Sequence, residues 1–127
     1  MEGYTLHYYI DNKTGEKPAQ DFIKTLPEKT RLKIFKYLLF LRDSNGYLDE
    51  PYSRHIVGKI RELRVDFSSI RHRLFYFTFI GKKIIILHGF IKKTNKTPPK
   101  EIERAVVYYD NLITNQNLYE KTEAKID

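Results

Sequence analysis

Cysteine and tryptophan are absent from this sequence, and methionine occurs once. Without thiols there are no disulfides and no cysteine-based zinc sites, so a reducing, cytoplasmic setting is expected. No apolar run approaches the roughly 20 residues of a membrane span. The opening stretch MEGYTLHYYIDNKTGEK has neither the basic start nor the continuous apolar run of a secretory leader, so none is expected. There is no Walker loop, no dinucleotide-binding glycine fingerprint, no nucleophile elbow and no carboxylate pair at useful spacing. His7, His55 and His72 have no metal-ligand spacing, and no metal site is expected.

What is present is positive charge in one place. The chain carries a net charge of +7, but residues 1–53 hold eight basic and eight acidic side chains and are neutral. Residues 54–104 hold thirteen basic and four acidic side chains, and residues 105–127 two basic and four acidic. A concentrated cationic segment attracts polyanions and speeds encounter with them. A basic surface kept for solubility is the plain alternative. The length, 127 residues at 41% hydrophobic content, suits a single domain over residues 1–127 with an ordered core of about 4–113.

Leu6–Ile10 reads as a strand ended by turn chemistry at residues 11–15. Pro18 opens a short helix bearing Phe22, Ile23 and Leu26, and Pro27 separates it from a second. That second helix has Leu32, Ile34, Phe35, Leu38, Leu39 and Leu41 as its apolar side and stops near Asn45-Gly46. Residues 47–58 read as irregular. Ile60–Phe67, Ile70–Phe79 and Lys83–Ile91 read as antiparallel strands joined at Ser68-Ser69 and Gly81-Lys82. The last is almost wholly apolar and is expected at the sheet centre, covered on both faces. Thr97 is the expected N-cap of a proline-started helix running to about Ile113, followed by a polar, frayed tail over 114–127. The order β-α-α-β-β-β-α is an α+β arrangement: an antiparallel sheet against a helical hairpin and a C-terminal helix.

Arg64 and Arg73 each sit inside a strand beside apolar neighbours, where charge is costly unless paired or set in a groove. Arginine is also well suited to phosphate. Glu62 shares a face with Arg64 and is either a general base or its ion-pair partner; Asp66 has the same two readings. The turn Lys92-Lys93-Thr94-Asn95-Lys96 stands at the mouth of a buried strand just before a helix, placed to offer ammonium and amide groups to phosphates, or simply solvated. His88 is a candidate acid–base group or a core histidine. Tyr76 offers a ring for base stacking or for the core. Lys93 joins Arg64, Arg73, Glu62 and His88 as catalytic candidates. Arg61, Arg71, Lys92, Lys96 and Tyr76 are the candidate nucleic-acid contacts. On this reading Arg73→Ala leaves the fold largely intact while removing activity.

The strings Lys59-Ile60-Arg61-Glu62-Leu63-Arg64, Arg73-Leu74-Phe75-Tyr76-Phe77, Ile86-Leu87-His88-Gly89-Phe90-Ile91-Lys92-Lys93-Thr94 and Thr97-Pro98, with Glu101, Ile102 and Ala105, resemble the RelE/ParE toxin superfamily. Within it the match is to the HigB-like, phage-derived Gp49-like branch of type II toxin–antitoxin systems. The resemblance implies a RelE-like fold over about residues 4–113. It implies a ribosome-dependent endoribonuclease, an mRNA interferase, that cuts mRNA in the ribosomal A site without metal or organic cofactor. It also implies a cognate antitoxin, commonly a helix-turn-helix protein. Basic residues of three strands line the site in RNA-cleaving relatives, which places Arg64, Arg73 and Lys93 there, with Lys92 and Lys96 adjacent and Glu62 where some members carry a base. A His-Tyr pair used by some relatives near the C-terminus has no equivalent here. A ParE-like inhibitor of DNA gyrase and an inactive RNA-binding domain are the alternatives.

Overall fold

A computed structural model describes residues 3–79, 81–116 and 126. Its elements run β1 (Thr5–Tyr8), α1 (Pro18–Lys24), α2 (Glu28–Asp43), β2 (Ser53–Val57), β3 (Ile60–Phe67), β4 (Ile70–Phe79), β5 (Lys83–Lys92) and α3 (Pro99–Thr114). The strands form one five-stranded sheet in the order β1-β5-β4-β3-β2. β1 runs parallel to β5, and the other neighbours are antiparallel. The expected α+β order therefore holds with one strand added.

The added strand is β2, in the stretch that reads as irregular. Its side chains do not alternate cleanly between buried and exposed, so period-two patterning is silent there. Pairing with β3 supplies the order instead, setting Ser53 opposite Leu63 and Arg54 opposite Glu62. β5 is interior, but β4 is the middle strand. β5 reads as the centre because helices cover both its faces.

Alternation along β3, β4 and β5 divides the core in two. Leu63, Val65, Leu74, Tyr76, Ile84 and Ile86 face the α1–α2 side, against Ile23, Ile34, Leu38 and Leu41. Phe75, Phe77, Ile85 and Leu87 face α3, against Ala105 and Leu112. Phe75 and Phe77 are essentially fully buried, each contributing roughly 1.5–3 kcal/mol. Gly89 allows α1 to sit directly on β5: a Cβ there would lie 2.4 Å from the Phe22 ring. Gly46, at φ +81 behind α2, would likewise place a Cβ 2.4 Å from Thr78 Oγ1.

Two local expectations change. Leu32 and Leu39 point to solvent at 61% and 41% exposure, because α2 buries Thr30, Ile34, Leu38 and Leu41 instead. Thr97 does not cap α3, since Pro98 holds the N-cap position without a side-chain bond. Thr97 Oγ1 donates to Glu62 instead. The expected frayed tail lies mostly outside the described residues. Ile126, within it, donates its backbone N–H to the Leu6 carbonyl at 2.8 Å.

Candidate phosphate-binding site

On the face of the sheet that carries α3, register gathers charge near the helix N-terminus. Arg73 on β4 lies opposite Arg64 on β3 and Phe90 on β5. Glu62 sits two residues from Arg64 on the same face and pairs across to Arg54 of β2. Lys92 closes β5 opposite Arg71, which is itself opposite Asp66. Sheet alternation thus places Arg54, Arg64, Arg73 and Lys92 together with Glu62 and Asp66, and Arg71 beside them.

Arg73 and Glu62 have no solvent exposure at all. Arg73 Nη1 donates to Asp66 Oδ1 at 2.6 Å and to the His72 carbonyl at 2.9 Å. Its Nε stands 3.8 Å from Glu62 Oε1, beyond hydrogen-bond reach, and neither Nε nor Nη2 has a hydrogen-bond partner. Arg54 Nε approaches the same Glu62 oxygen at 3.6 Å, while Thr97 Oγ1 donates to Oε2 at 3.2 Å. Thr97 therefore ties the start of α3, with its partial positive end, to this carboxylate. Lys92 is buried on the same face. Burial lowers its pKa, as do Arg73, Arg54 and Arg64, and Glu62 opposes them. Four cations face two carboxylates, and buried N–H groups of Arg73 remain unspent.

The sequence candidates separate in space. Arg64, Arg73, Glu62 and Lys92 come together, with the half-buried Arg71 beside them. Lys93 and Lys96 are exposed beyond the end of β5. Arg61 lies on the opposite face, where its Nε donates to Ser53 Oγ at 3.2 Å and its guanidinium covers the Tyr47 ring. Tyr76 is fully buried, and its hydroxyl shares a 2.7 Å hydrogen bond with Ser53 Oγ. His88 lies under α3: its Nε2–H donates to Glu101 Oε1 at 3.1 Å, and Phe75, Phe90 and Tyr108 surround it. Burial and the charge of Arg104 push its pKa down to about 3, so the ring is neutral near pH 7.

Two members of the cluster escape sequence reasoning. Arg54 falls in the unrecognised β2, and Thr97 reads as a cap. The signal for Arg54 is the register of a strand whose own pattern is weak. Among the described residues, no group of three or more His, Asp or Glu side chains is placed to hold a metal ion. No helix among the described residues is long and apolar enough to cross a membrane.

A cation-rich cluster on an α+β sheet, with guanidinium N–H groups that lack partners, has the donor chemistry that phosphate groups take. The chain belongs to the family described as Phage derived protein Gp49-like (DUF891), whose model matches residues 21–110. That is the RelE/HigB-like toxin family, and the match spans every residue of the cluster. No curated protein matches the chain significantly.

Proposed function

We propose that this protein is the toxin of a type II toxin–antitoxin pair and acts as a ribosome-dependent mRNA endoribonuclease. Partners on this reading are mRNA in the ribosomal A site and a cognate antitoxin. The observation that carries it is the buried Arg73 with partnerless Nε and Nη2, set among Arg54, Arg64 and Lys92. A gyrase inhibitor has no use for such a cluster of cations, whereas phosphoryl transfer does.

In the reaction, the ribose 2′-oxygen attacks the adjacent phosphorus and the bond from phosphorus to the 5′-oxygen breaks. The products are a 2′,3′-cyclic phosphate and a free 5′-hydroxyl. The 2′-hydroxyl loses a proton to a base, and the leaving 5′-oxygen gains one. Half-buried Arg64 stabilises the charge gathering on the non-bridging oxygens, where positioned donors are most effective, and Arg73 adds its positive charge from beneath. Glu62 positions Arg73 and Arg54; its full burial and its bond from Thr97 suit that role better than proton abstraction. Lys92, with its lowered pKa, supplies the leaving oxygen's proton. His88 takes no part: it is neutral, buried and spent on Glu101.

Purified protein is incubated with programmed ribosomes and end-labelled mRNA. Products ending in 2′,3′-cyclic phosphate, absent with Arg64→Ala, are expected. Arg64 suits this control because it is half-buried and forms no side-chain bond or ion pair among the described residues. Intact mRNA with folded wild-type protein would refute the proposal.

A further inference from the structure

α2 buries Thr30, Ile34, Leu38 and Leu41, yet the side turned away from them is not simply polar. Leu32, Leu39 and Phe40 stand there, each more than 40% exposed. With Lys36 they fall at i, i+4, i+7 and i+8, which is one face of a helix. Half-buried Phe35 lies between the leucines, so Leu32, Phe35 and Leu39 repeat the i, i+3, i+7 spacing of a two-helix seam. Beside Phe40 and Lys36 opens a groove of about 380 Å³, walled also by Tyr37, Leu48 and Tyr52. Single leucines on a surface are ordinary, but an apolar helix face that runs into a socket marks contact with another molecule.

Charge on this face selects the partner. Exposed Lys29 and Lys36 take the flanking positions of the seam, and neither forms an ion pair among the described residues. Lys36 Nζ lies 5.7 Å from the centroid of the Phe40 ring. The carboxylates stand only at the two ends of the helix: Glu28 in the first turn, and Asp43, already 3.2 Å from Arg42 Nε. A second copy of this chain fits poorly, because a two-fold pair of α2 helices centred between Leu32 and Leu39 sets Lys36 against its own counterpart. α2 packs on the sheet layer that holds Leu63 and Leu74, whereas the cation cluster lies on the α3 face. A molecule docked on α2 therefore leaves the cluster open.

We infer that the outer face of α2 docks an acidic amphipathic helix of a second polypeptide, its apolar side on Leu32, Leu39 and Phe40 and its carboxylates on Lys29 and Lys36. Helix recognition of this kind works through apolar anchors at helical spacing, which this face supplies along with a socket for one partner side chain. The apolar contacts hold the partner, and the lysines favour an acidic helix over a basic one. The inference does not rest on the RNA-cleaving reading, since the two surfaces share no residue.

The test uses the full chain and two labelled helical peptides of about three heptads with leucine at a and d, one with glutamate and the other with lysine at e and g. Like charges keep each peptide from pairing with itself. Anisotropy titrations compare wild type with Leu32→Gln, Leu39→Gln and the double variant Lys29→Glu/Lys36→Glu, each checked for an unchanged melting temperature. Wild type should bind the glutamate peptide about tenfold more tightly than the lysine peptide, and each glutamine should weaken that binding about tenfold. The double charge reversal should exchange the preference between peptides. Equal binding of the two peptides, or glutamate-peptide binding that survives both glutamine variants, would overturn the inference. So would wild type that binds neither peptide. If that protein also sediments as a dimer that Leu39→Gln dissociates, the face belongs to a second copy instead.

Discussion

Removing the Arg73 guanidinium tests how the site is built as well as what it does. In Arg73→Met the buried Glu62 loses its nearest fully buried cation but keeps Thr97 Oγ1 at 3.2 Å and Arg54 at 3.6 Å. The His72 carbonyl loses a donor at 2.9 Å. Asp66, whose side chain is 61% exposed, returns to water at small cost. Breaking a buried ion pair from one side costs roughly 3–5 kcal/mol, and the surviving partners of Glu62 place this case near the lower end. At about 3–5 °C per kcal/mol for a chain of this size, the melting temperature falls by about 10–15 °C. Arg73→Ala adds a cavity and should be worse, which revises the expectation from sequence that the fold would tolerate it. Adding Glu62→Gln to Arg73→Met removes the stranded charge while a side-chain oxygen still accepts from Thr97. The double variant should recover to within about 1 kcal/mol of wild type and remain inactive. Thermal melts of the four proteins decide the matter. A double variant that loses the sum of the two single losses would refute the reasoning.

Three further outcomes are expected. Asp66→Asn should bind short RNA several-fold more tightly with little change in melting temperature, since an exposed carboxylate then no longer competes for Arg73; equal or weaker binding in titrations would count against a phosphate at that place. His88 has a folded pKa depressed to about 3, so protonation of the unfolded chain lowers stability as pH falls from about 6.5 toward 3. The loss attributable to His88 is about 3 kcal/mol at most by pH 4.5, with Glu101 reducing it, and pH-dependent melts of His88→Gln should show a flatter profile. Gly89→Ala should push Phe22 off β5 and cost about 1–3 kcal/mol, read as a shifted denaturation midpoint.

Strong periodicity made much of this molecule legible. The alternation of β3 and β4 and the apolar run of β5 located the sheet, and Pro18, Pro27 and Pro99 marked the helix starts. The same alternation put Glu62 and Arg64 on one face, while Arg73 joins them only through the β3–β4 register. β2 was hidden because its neighbours, rather than its own pattern, make it a strand. The end of β5 was ambiguous by one residue: alternation and a bulge near Phe75 and Tyr76 bring Lys92 into the cluster and leave Lys93 outside. Tyr76 resembles its exposed aromatic counterparts in composition, and only the Ser53 hydroxyl buried beside it shows why its polar end is satisfied indoors. Thr97 was read locally as a cap because its actual partner, Glu62, lies 35 residues away in the chain.

The most direct measurement is induced expression of the intact chain in cells lacking its antitoxin, with mRNA 5′ ends mapped across the transcriptome before and after induction. Growth arrest accompanied by new cuts in phase with the reading frame is the predicted result, and Arg64→Ala at equal soluble level should produce neither. Arrest without new RNA ends, or normal growth with folded wild-type protein present, would contradict the assignment of this pocket to RNA cleavage.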